Sequence, residues 1–130
     1  MINKQELFEK VYDYEDETGL KFSLSEIKED DSLFTGVGLF HLEDEFIGYS
    51  EFTLDEKENT FSLDYVNLGE FLNKGVMTRY ILHLGPILKE FGIEYVTGRF
   101  YSEAITLAEN NGGVQDGDKM IINVSEWNPN

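Results

Sequence analysis

The sequence predicts an α+β domain, on three observations. Four segments between Leu20 and Leu68 alternate apolar and polar residues with the period of half-buried strands, and short polar turns join them. A helical apolar period then runs from Val76 to Phe91 and leads into another strand-like run at Ile93 to Phe100. A meander followed by strand, helix and strand makes a mostly antiparallel sheet extended by a βαβ-like crossover, with flanking helices packed on it.

Each element has its own warrant. Asn3 and Glu6 have the spacing of a capping box, and Leu7, Phe8, Val11 and Tyr12 share one helical face, which predicts a first helix over Gln5 to Tyr14 that residues 13 to 19 end. Leu20, Phe22 and Leu24 alternate with Lys21, Ser23 and Ser25 in a strand, and an acidic turn, Glu29-Asp30-Asp31, follows. Further strands are expected over Thr35 to Leu42, Phe46 to Leu54 and Thr60 to Leu68, with hairpin-like connections at residues 43 to 45 and 55 to 59. The helix after residue 75 has Gly92 as its C-cap, and Gly85-Pro86 predicts a kink or a second segment starting at Pro86. Ser102 reads as an N-cap, Glu103 to Asn110 as a helix, Lys119 to Val124 as a last strand and Trp127 to Asn130 as a loose tail.

The 130 residues suit one compact domain, 1–130, with 41% hydrophobic and 14% aromatic residues and no low-complexity tract. The absence of cysteine rules out disulfides, thiolate ligands and a cysteine nucleophile. No segment resembles a signal peptide or reaches the roughly 20 apolar residues of a membrane span, so the expectation is a soluble cytoplasmic protein. Net charge is −16, and it is unevenly spread: residues 1 to 70 hold 19 acidic against 5 basic side chains, residues 71 to 130 hold 7 against 5. Such a front half repels nucleic acid and acidic membranes and attracts amines or basic proteins. Neither a Gly-x-Ser-x-Gly setting nor a basic patch with interleaved aromatics occurs, which argues against a serine hydrolase and against direct nucleic-acid binding. With only His41 and His83, far apart in sequence, a transition-metal site has little support, and Glu43-Asp44-Glu45 lacks the spacing of a calcium loop. His83 falls off the apolar stripe of its helix and is expected to be exposed.

The best functional clue is the loop Asn73-Lys74-Gly75-Val76-Met77-Thr78, which opens directly into the long helix. A helix start leaves several backbone N–H groups unpaired at the positive end of the dipole, so anions are welcome there. This order of elements, with Gly75 at the strand-to-helix turn, resembles the GNAT N-acetyltransferase superfamily. In that family the turn reads Arg/Gln-x-x-Gly-x-Gly/Ala, and its amides hold the pyrophosphate of acetyl-CoA. Leu72-Asn73-Lys74-Gly75-Val76-Met77 keeps the glycine at Gly75 and departs from the pattern at Leu72 and Met77. Further on, Ala104, Leu107 and Gly112 match the family pattern, whereas Tyr101 stands for the usual Asn, Ala108 for the acid tyrosine and Gly113 for Phe.

What the resemblance implies is acetyl-CoA as cofactor, held by Lys74, Gly75, Val76, Met77, Thr78 and Arg79, without a metal. Met77 leaves the pyrophosphate clear if its side chain turns into the core, as its phase with Ile81, Leu84 and Leu88 predicts. Acyl transfer to an amine needs a base, a donor to polarise the thioester and a proton source for the thiolate. Asp64 and Glu70 are the base candidates, a backbone N–H at Val66 or Asn67 the donor if the sheet splays there, and Tyr101 the acid. The acceptor is an amine of a small molecule or a basic protein. The alternative is a GNAT-like acidic binding protein without catalysis, phage-encoded or a nucleic-acid mimic, that engages a basic partner.

Overall fold

The computed structural model describes residues 3–71, 74–100 and 103–127, and for Glu103 and Ala104 the backbone alone. Among the described residues three helices, α1 (Lys4–Val11), α2 (Val76–Glu90) and α3 (Glu103–Asn110), accompany eight strands. The strands are β1 (Asp13–Glu15), β2 (Leu20–Asp30), β3 (Leu33–Leu42), β4 (Glu45–Asp55), β5 (Thr60–Asn67), β6 (Tyr95–Gly98), β7 (Val114–Asp116) and β8 (Lys119–Asn123). They form one sheet in the order β1-β2-β3-β4-β5-β6-β8-β7, antiparallel throughout except for the parallel pair β5–β6 that α2 bridges. The predicted meander and crossover are both present.

The core lies between one sheet face and the helices. Phe22, Phe40, Phe52, Leu54 and Phe61 point from the strands toward Leu7, Phe8 and Val11 of α1 and Tyr80, Ile81, Leu84 and Leu88 of α2, all buried. Fully burying each such side chain is worth about 1.5–3 kcal/mol, so the one-sided apolar stripe of α2 fixes its rotation on the sheet. α2 also packs against both α1 and α3. Two β3 glycines make room for rings: a Cβ at Gly36 would come within 2.5 Å of Phe52, and one at Gly38 within 2.4 Å of Tyr12.

Several predicted boundaries shift, each for a physical reason. α1 stops at Val11, three residues early, and the chain turns at once into β1, a three-residue strand too short to show a period. β2 runs on through Glu29 and Asp30, and the turn falls instead at Asp31, which adopts φ +59°. α2 is one unbroken helix through Pro86; the proline side chain faces solvent, where water can serve the carbonyl it leaves unpaired. Trp127 is buried, not loose: its indole lies on α2 at Gly85, where an added Cβ would sit 2.1 Å from the ring. Residues 128 to 130 lie outside the described residues. Gly92 caps α2 as predicted, in the left-handed region at φ +77°, with Ile93 N–H bonded to Leu88 C=O at 3.0 Å and Gly92 N–H to Lys89 C=O at 3.1 Å.

Candidate functional site

The start of α2 is built by Gly75. This residue caps the helix with φ +82°, no side chain contributes a capping bond, and open space surrounds the position a Cβ would take. A turn from Lys74 N–H to Phe71 C=O (3.1 Å) precedes it, and Arg79 N–H to Gly75 C=O (3.1 Å) closes the first helical turn. Among the described residues, no hydrogen bond takes up the amides of Val76, Met77 and Thr78. The Val76 and Met77 side chains are both buried in the core, the inward turn that the helical phase predicts. Lys74 is exposed and Thr78 half-buried. The guanidinium of Arg79 turns toward the β1–β2 connection, with Nη1 2.9 Å from Thr18 Oγ1 and 3.6 Å from Asp16 Oδ2.

Beside this helix start the sheet parts. Among the described residues, β5 and β6 pair only from Thr60–Tyr95 to Leu63–Gly98, yet β5 continues to Asn67 with β4 as its partner. Gly98 marks the last close approach, since a Cβ there would lie 3.1 Å from Leu63. Backbone amides along a strand alternate between its two neighbours. Alternate N–H groups of Tyr65, Val66 and Asn67 therefore face the opening. Because α2 runs back from the carboxyl end of β5 to the start of β6, its amino end lies at the same end of the sheet as the opening. That is where open sheets with helical crossovers receive ligands.

Of the catalytic candidates, Asp64 and Glu70 lie among the described residues. Asp64 is the extra residue of a β-bulge, lying between Leu63, which faces Phe52, and Tyr65, which faces Glu51. Its exposed carboxylate accepts hydrogen bonds from Thr53 Oγ1 (2.5 Å) and Ser62 Oγ (2.7 Å). The two hydroxyl residues face each other across β4 and β5, a pair that the hairpin register alone would have located. Glu70 lies exposed in a short 3-10 turn, Gly69–Phe71, between β5 and α2. Tyr101, together with Leu72, Asn73 and Ser102, lies outside the described residues. Ala108, at the position of the family's acid tyrosine, is a methyl group in the core. Gly112 caps α3 at φ +83°, and Gly113 follows so tightly that a Cβ would come within 2.6 Å of the Ala108 carbonyl oxygen.

Behind the helix start lies a buried hydroxyl cluster that helical and strand periods do not reveal. Tyr12 and Tyr80 share a hydrogen bond of 2.6 Å, and Ser50, opposite Val66 in the sheet, is buried beside Tyr80. Burial, and then the neighbouring Tyr80, push the Tyr12 hydroxyl well above its usual range; burial raises Tyr80 to about 12. Both are neutral hydrogen-bonding groups at physiological pH. Asp16 is raised by burial, but hydrogen bonds from Thr18 and Tyr14, with Arg79 beside it, outweigh that and hold it below the usual carboxylate value. His83 is half-buried, not exposed: its ring packs on Tyr14, and Nε2 lies 3.1 Å and 3.0 Å from the carbonyl oxygens of Lys10 and Val11. No group of three or more His, Cys, Asp or Glu among the described residues could hold a metal ion.

Solved acetyltransferase structures have a shape similar to that of this chain. This is the GNAT fold. A probable GNAT-family acetyltransferase from Chromobacterium violaceum matches with a TM-score of 0.56 at 14% identity, covering 72% of this chain and 61% of that one. The ribosomal-protein-S18-alanine N-acetyltransferase of Escherichia coli matches at 0.55 and 12% identity, over 78% and 76% of the two chains. A Bacillus anthracis protein assigned as a streptothricin acetyltransferase, solved with acetyl coenzyme A, matches at 0.54 and 13% identity, over 82% of this chain and 96% of its own. No protein-family model and no curated protein sequence matches the chain. At these identities the likeness carries the GNAT architecture, and the present chain spans less than two-thirds of the C. violaceum protein. Among the described residues no helix is long and apolar enough to cross a membrane.

Proposed function

We propose that this protein is an acetyl-CoA-dependent N-acyltransferase whose cofactor lies between the parted ends of β5 and β6. The observation that carries the reading is the coincidence of that opening with the uncapped start of α2. The amides of Val76, Met77 and Thr78 would take the pyrophosphate, worth up to about 2 kcal/mol from the helix dipole in a partly buried setting. Met77 and Val76 occupy the core and leave the approach clear, which answers the loss of a second glycine from the turn. Lys74 supplies a nearby positive charge, and Thr78 a hydroxyl. Acetyl-CoA supplies the thioester; a Val66 or Asn67 amide facing the opening would polarise its carbonyl as negative charge develops there. Asp64 or Glu70, directly or through water, would accept the proton of an amine approaching over the acidic sheet. Tyr101 is the acid candidate for the leaving thiolate, since Ala108 has no proton to give.

Calorimetric titration with acetyl-CoA tests the reading. Binding with Kd on the order of micromolar, lost in Gly75→Glu, is expected, because a carboxylate on the helix start would repel the diphosphate. No heat at millimolar cofactor would overturn it and favour the non-catalytic binding reading. With a reactive amine found, Asp64→Asn should lower turnover by about 10²-fold or more and leave acetyl-CoA affinity unchanged, as read by thiol release.

A further inference from the structure

We propose that the free edge of β2 is a docking strand, to which an extended basic peptide with alternating apolar residues adds as a further strand of the sheet. The proposal stands whether or not the chain transfers acetyl groups. β2 pairs along its whole length with β3, but on its other side β1 reaches only Lys21 to Ser23. Leu24 to Asp30 therefore carry a row of backbone N–H and C=O groups with no strand partner among the described residues, a template for strand addition.

Beside that edge runs a groove that alternate peptide side chains could fill. A β-bulge sets Leu24 opposite Gly38 and Glu26 opposite Val37, so Ser25 is supernumerary and the facing of β2 reverses after it. As a result Leu24, Ile27 and Glu29 all line one groove of about 570 Å³ with Lys4 and Phe8 of α1 and Phe34 of β3. Leu24 and Ile27 are left 36% and 39% exposed. These are apolar side chains at an edge, where isolated proteins ordinarily place charges.

Charge selects the occupant. Residues 24 to 31, the free edge and its turn, hold four acidic side chains against Lys28. The groove's own cation is already engaged, since Lys4 Nζ lies 3.3 Å from Glu56 and 4.8 Å above the Phe34 ring. A second copy of this chain would bring the same acidic border and a net charge of −16. A lysine- or arginine-bearing strand gains where a second copy is repelled.

The test uses the whole chain and a capped synthetic peptide, about eight residues long, alternating lysine and valine. Binding is read by anisotropy and by backbone amide NMR. The expected result is saturable binding with shifts and slowed exchange at Leu24 to Asp30, weakened at least about tenfold on raising salt from about 50 to about 500 mM. Ile27→Lys, a surface change that removes the apolar contact and adds a like charge, should raise Kd at least about tenfold while its circular dichroism stays native; Val114→Lys, 65% exposed on β7 at the far edge, should leave Kd unchanged. A peptide of equal charge with proline replacing valine cannot complete the strand ladder and should not bind. Equal binding of that peptide, shifts confined to another face, or self-association of the chain through β2 would each overturn the proposal.

Discussion

His83 places its Nε2 against two backbone carbonyls, which can only accept, so that nitrogen carries the proton and the ring caps the carboxyl end of α1. Its helical phase predicted exposure, because a period reports only the helix's own stripe and is blind to a neighbouring helix that ends beneath it. Burial, outweighing the two carbonyls, lowers the His83 pKa below 6.5. Between that folded value and 6.5 the unfolded chain binds the extra proton. The His83 contribution is therefore fully present above pH 6.5 and is lost as pH falls below it. The Asp16 contribution, from a lowered carboxylate, is lost only below its ordinary 3.8, so the two windows are separate. Thermal unfolding followed by circular dichroism should show a midpoint that declines as pH falls below 6.5, and a flatter decline in His83→Gln, whose amide is a donor that does not titrate. Equal slopes in the two proteins would contradict the assignment. Asp64 was legible as a strand carboxylate; its bulge, which sets Thr53 and Ser62 beside it, was not, because bulges arise from pairing between strands.

The helix α2 was read nearly to its ends from its apolar repeat, from Gly75 and from Gly92, because caps and periodicity are local properties. Its continuity through Pro86 was not legible, since whether a proline breaks a helix depends on what holds the flanking turns. Here Tyr80, Ile81 and Leu84 before it and Leu88 after it are all buried on the same face, and their packing outweighs the missing bond. Gly85 shows the same dependence on context. In an exposed helix Gly→Ala stabilises by roughly 0.5–1 kcal/mol. Against Trp127 the added methyl must displace the indole, so Gly85→Ala should instead destabilise by about 1–3 kcal/mol in urea unfolding, and a more stable variant would contradict the packing of Trp127. β1 and β7, of three residues each, carry no period long enough to read.

The arrangement of the sheet follows from connectivity that the sequence makes visible: short turns force the meander, and a helix of fifteen residues between β5 and β6 forces them parallel. The GNAT architecture was legible from that order together with Gly75, whereas the parting of β5 from β6 could be stated only as a condition, because it concerns which residues fail to pair. The near-neutral second half of the chain carries the α2 start and the acidic first half the meander, so the proposed anion site and the proposed amine approach would lie on differently charged segments. Everything proposed for catalysis depends on free amides at the head of α2 lying beside an open slot in the sheet. Titration of the uniformly ¹⁵N-labelled protein with coenzyme A reads both at once. Saturating shifts at Val76, Met77 and Thr78, accompanied by Val66 and Asn67, are the predicted result; unmoved amides at these five positions at millimolar coenzyme A would contradict it.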